Sequence, residues 1–79
     1  MSLGVGAQLE RVEAEVLECL RELGCALPIK VAWWRHRVMG YTPLLAEVAL
    51  GYVMTEMTRK GLIEFSLKEG GYRVKEVDE

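Results

Sequence analysis

The sequence predicts an α+β domain in which three helices are followed by a C-terminal β-hairpin. Three observations carry this expectation. Apolar residues recur at intervals of three and four up to Met57, the signature of helices with one buried face. Beyond Gly61 the apolar period falls to two, the signature of strands. Glycine or proline stands at each change of pattern, at Gly24, Pro28, Gly40, Pro43, Gly61 and Gly70-Gly71.

The first helix is "LERVEAEVLECLRELG". Leu9, Val12, Val16, Leu17, Leu20 and Leu23 fall on one face, and Glu and Arg fill the other. Cys19 joins the core as a small apolar side chain. Gly24 suits the position just past a helix end, where the backbone turns left-handed. The second helix starts at Pro28, whose fixed φ fits a first helical residue, and stops at Gly40. Its core residues by spacing are Val31, Trp34 and Val38. In the third, Thr42 and Pro43 form an N-cap and first-turn pair, and Arg59 and Lys60 occupy the last turn, where cations complement the helix dipole. Ala46, Ala49, Leu50, Val53 and Met57 share the side predicted to pack inward. In the hairpin, Ile63, Phe65 and Leu67 alternate with Glu64 and Ser66, and Tyr72, Val74 and Glu76 alternate with Arg73 and Lys75.

Residues 1–8 read as a flexible lead, 9–77 as one domain, and 78–79 as a frayed end. A chain of 79 residues with 51 % hydrophobic and 28 % charged residues is globular in composition. It holds one core and little room for a deep pocket. Neither a Ser-His-Asp set nor paired carboxylates nor a phosphate loop is visible, so no enzyme is expected. No metal or cofactor is expected either, because Cys19, Cys25 and the single histidine do not make a zinc set. Two unpaired cysteines, no long apolar run and an uncharged N-terminus predict a soluble cytoplasmic chain.

The stretch "LGYVMTEMTRKGLIEFSLKEGGYRV" resembles the end of a winged-helix domain of the MarR/PadR type. The resemblance covers residues 9–77 and is most specific from Met57 to Tyr72, where Lys60-Gly61-Leu62-Ile63 steps from helix into wing and Tyr72-Arg73-Val74 returns. It implies a small transcriptional regulator that binds double-stranded DNA, with the third helix toward the major groove and the second helix and wing on phosphates.

On that implication the DNA-binding candidates are Lys30, Trp33, Arg35, Arg37, Thr42, Thr55, Arg59, Lys68 and Arg73. Lys30, Trp33 and Arg37 lie at i, i+3, i+7 on one side of the second helix, and all three can donate to phosphate oxygens. Two features oppose direct base reading. The net charge is −2, and the chain has no Asn and only Gln8, so the usual partners of adenine are missing. An alternative stays open at this point. Leu44, Leu45, Val48 and Tyr52 form a second apolar stripe on the third helix, suited to a protein partner or to a homodimer.

Overall fold

A computed structural model of the chain describes residues 5–40 and 43–75, with the side chains of 9–40 and 49–75. Three helices, α1 (Val5–Leu23), α2 (Pro28–Met39) and α3 (Pro43–Arg59), precede two strands, β1 (Ile63–Ser66) and β2 (Gly71–Val74). The α+β class and the element order match the expectation. α1 starts earlier than expected, and its first turn takes in residues 5–8, read from sequence as part of the lead. Thr42 lies outside the described residues.

The helix ends follow from backbone chemistry. Gly24, Gly40 and Gly61 all take positive φ, the conformation that glycine adopts without a Cβ penalty. At Gly61 two bonds close α3: the Gly61 N–H donates to the Thr58 carbonyl at 3.1 Å and the Leu62 N–H to the Met57 carbonyl at 3.0 Å. This pair satisfies end carbonyls and reverses the chain into β1.

β1 and β2 pair antiparallel, with Ile63 opposite Val74 and Phe65 opposite Tyr72. The turn between them runs over Leu67–Gly70, where the Gly70 N–H donates to the Ser66 carbonyl at 2.8 Å. The outer side of β2 is also used. Ala26, between α1 and α2, exchanges two backbone hydrogen bonds with Tyr72, each 2.9 Å. The hairpin is thereby tied to the helices by backbone as well as by side chains. Gly71 permits this approach, since a Cβ there would stand 2.8 Å from the Cys25 Sγ and 3.0 Å from the Ala26 carbonyl carbon.

The core lies where the three helices meet the hairpin. Val16, Cys19 and Leu20 come from α1, Val31, Ala32 and Trp34 from α2, Leu50, Val53, Met54 and Met57 from α3, and Ile63 from β1. Trp34 is buried, and its indole Nε1–H donates to Glu22 Oε2 at 3.1 Å. That bond satisfies the polar edge of an otherwise apolar side chain.

Five expectations about facing need correction. Val38 is 54 % exposed. It lies on the same side of α2 as buried Val31, Trp34 and Arg35, but in the last turn of the helix, where His36 and Arg37 are exposed as well. Ala49 is exposed and Met54 buried, because Leu50, Val53, Met54 and Met57 set the inward direction of α3 and Ala49 sits roughly 90° round from it at 100° per residue. Leu23 is exposed at the end of α1. Phe65 is exposed although it shares a face with buried Ile63, because it lies further out along the hairpin; it packs edge-on against Tyr72 with ring centroids 5.1 Å apart. Leu67 belongs to the turn and is 90 % exposed.

Candidate functional site

Lys30, Trp33 and Arg37 do come together. Pro28 starts α2 in a fixed phase, and the buried Val31–Trp34–Arg35 side turns these three outward. They line a shallow groove of about 320 Å³, closed by Leu23 from the end of α1 and by one edge of Trp34. Trp33 is 57 % exposed, and its ring meets His36 edge-on with centroids 5.8 Å apart. Neither Lys30 nor Arg37 forms an ion pair among the described residues. Two turns of helix separate them, about 10.5 Å along the axis. Glu69 lines a neighbouring pocket together with Lys30, and Glu22 is held by its bond from Trp34.

Arg35 does not belong to this surface. It is turned inward, and its Nε and Nη2 both donate to Glu15 Oε1, at 3.1 and 2.8 Å. The two side chains are only 9 % and 13 % exposed. Burying the ions costs hydration, and the pairing offsets that cost. Arg35 is a structural tie between α2 and α1, which corrects its place among the candidates.

The remaining cations of the expected set are largely compensated. Arg59 pairs with Glu56 one turn back at 2.8 Å. Arg73 lies between Glu64 at 2.7 Å and Glu69 at 3.3 Å, and its hydrogen bond to Glu64 holds the guanidinium pKa above its ordinary value. Lys60 donates to Glu13 at 2.7 Å, and that bond raises its pKa. Lys68, on the hairpin turn, is exposed and forms no ion pair among the described residues.

On α3 the described outward face is weakly polar. Thr55 is exposed, but its hydroxyl donates to the Gly51 carbonyl at 2.8 Å, and Thr58 does the same to Met54. Such bonds to the carbonyl four residues back occupy the hydroxyl hydrogen. Tyr52 is 68 % exposed, beside exposed Ala49. The side chains of Leu44, Leu45 and Val48 lie outside the described residues.

A second pocket of about 190 Å³ is lined by Cys25, Ala26, Leu27, Lys30, Glu69 and Gly70. Burial pushes the Cys25 thiol pKa up, and the Glu69 carboxylate adds to it through its charge and a hydrogen bond. The shift lowers the thiolate fraction at neutral pH. No cluster of His, Cys, Asp and Glu suited to a metal ion occurs among the described residues, and no described helix is long and apolar enough to cross a membrane.

Sequence reasoning missed two members of the groove. Leu23 was assigned to the core because it continues the α1 stripe, and Trp34 shows an edge while its bulk is buried. The signal for Leu23 was positional: it is the last residue before Gly24, where a stripe runs out past the core. Searches of protein-family models, of curated proteins and of solved structures find nothing that matches this chain.

Proposed function

We propose that this chain is a winged-helix domain that holds double-stranded DNA by its phosphate backbone, with α2 as the principal contact and the hairpin as the wing. The observation that carries the reading is the pair of cations on α2, Lys30 and Arg37, which flank exposed Trp33 and have no carboxylate partner among the described residues. Such groups can neutralise phosphates and release counterions. The described face of α3 offers no comparable donors, so the proposed mode is weak in base discrimination: backbone contacts position a protein and carry no sequence information.

The reading is tested by titrating labelled duplexes of unrelated sequence with the full chain at low salt. All should bind, and Lys30→Ala with Arg37→Ala should weaken them alike. Lack of duplex retention by the wild type at low salt would refute it.

A second reading is favoured by Tyr52, whose ring stands out from the middle of α3 beside Ala49. Aromatic side chains are enriched where proteins dock. On this reading α3 binds a protein partner or a second copy, and Tyr52→Glu should abolish association without unfolding the domain. Sedimentation as a monomer that this change does not affect would remove self-association.

A further inference from the structure

We infer that the α2 groove accepts single-stranded nucleic acid, with an unpaired base stacked on Trp33 and phosphates on either side of it held by Lys30 and Arg37. This deepens the backbone-binding proposal and rests on its assignment of the two cations to phosphates. It goes beyond that proposal in naming a stacking role for the indole face, which a fully paired duplex cannot use.

One exposed apolar side chain is ordinary on a protein surface and implies nothing alone. The setting of Trp33 is what distinguishes it. It lies between two cations on one helix face and lines an open groove together with Leu23 and Trp34. A duplex offers that groove phosphates but keeps its bases paired, out of reach of an indole. A single strand alternates charged phosphates with free flat rings, and so matches cation, indole, cation in order. Lys30 and Arg37 are about 10.5 Å apart along the helix, and stacked nucleotides of one strand advance about 3.4 Å each, so the two phosphates held are roughly three nucleotides apart, with the base on Trp33 between them.

The indole is also preorganised. The edge-on contact with His36 restricts its rotation before a ligand arrives, so less ordering remains to be done on binding. Stacking on an aromatic side chain tolerates every base, because each has a π-face. Stacking is the contact that a duplex cannot reproduce, which makes it the source of any preference for single strands.

Acidic peptides share the negative charge but lack a free ring at each repeat, so poly-glutamate separates them from nucleic acid. The experiment compares a short oligothymidine with a blunt duplex of the same length, at low salt, on the full chain. Oligothymidine should quench the emission of exposed Trp33, and Trp33→Phe, which leaves only buried Trp34 to report, should abolish the quenching. Trp33→Ala should weaken oligothymidine about tenfold, as loss of one stacked base does, and weaken the duplex by less, since a duplex can lose only an indole N–H donation to phosphate. Circular dichroism checks that both variants fold.

If oligothymidine binds and the duplex does not, the single-strand inference holds and the duplex proposal falls. Duplex binding with no quenching by oligothymidine overturns the inference and leaves the proposal standing. Equal loss for both ligands in Trp33→Ala, or poly-glutamate competing as well as oligothymidine, also overturns the inference. If neither nucleic acid binds, both fall.

Discussion

Replacing Arg35 with methionine would leave the Glu15 carboxylate without its guanidinium in a seam where it is 13 % exposed. Its two hydrogen bonds to Glu15, at 2.8 and 3.1 Å, would be lost. Removing one partner of a buried pair costs about 3–5 kcal/mol, whereas breaking an exposed pair costs about 0–1 kcal/mol. Partial solvent access at this seam places the expectation near the lower end of the buried range, about 3 kcal/mol. A domain of 79 residues has a total stability on the order of 4–12 kcal/mol, so the loss is a large fraction of it. The corresponding fall in Tm is about 12–24 °C. Urea unfolding followed by circular dichroism and tryptophan emission measures it, with an unchanged m value showing that the same surface is exposed. The double variant Glu15→Leu with Arg35→Met should recover most of the loss, because well-packed apolar groups replace a buried pair at little cost. A single-variant loss below about 1 kcal/mol would place the pair in the exposed class and refute the reasoning.

Two further outcomes follow from the packing. Burial raises the Cys19 thiol from 9.0 to about 11, with Glu22 adding to the shift and Arg37 opposing it. The unfolded chain therefore ionises first, so this contribution is intact below pH 9 and is lost as the pH rises toward 11; it amounts to roughly 2–3 kcal/mol. Wild type should lose about that much more stability than Cys19→Ala between pH 8 and 11, and parallel curves would contradict it. Gly71→Ala should destabilise by about 1–3 kcal/mol, since its Cβ would strike Cys25 and the Ala26 backbone. The stiffening of the unfolded chain works the other way by only about 0.4–1 kcal/mol, so an unchanged or raised urea midpoint would refute the close approach.

Element types were legible because helix and strand periods are local properties of the chain. Pro28, Gly40 and Gly61 marked boundaries that the backbone respects. Facing was less legible. Val38 sits at a core-like spacing from buried Val31 and Trp34 and on their side of α2, yet it stands in the last turn, and a period gives the direction of a side chain without saying how far along the helix the packing extends. Arg35 stands four residues after Val31, so its place near the stripe was written in the spacing. Its charge argued for the surface, and only the distant Glu15 reverses that argument. Compensation of cations was likewise hidden: Lys60 finds Glu13 from another element. The Ala26–Tyr72 bridge has no local signal, since a single residue in a loop carries no period. The Lys30–Trp33–Arg37 face was readable, because helical geometry alone aligns it.

The salt dependence of duplex affinity tests most directly whether this uncompensated pair drives binding. If Lys30 and Arg37 each meet one phosphate, log K should fall with log salt at a slope of about −1.8 from those two contacts. Changing both to alanine should remove that much of the slope, while Arg35→Met should leave it intact. A slope that the double alanine variant retains would contradict the account.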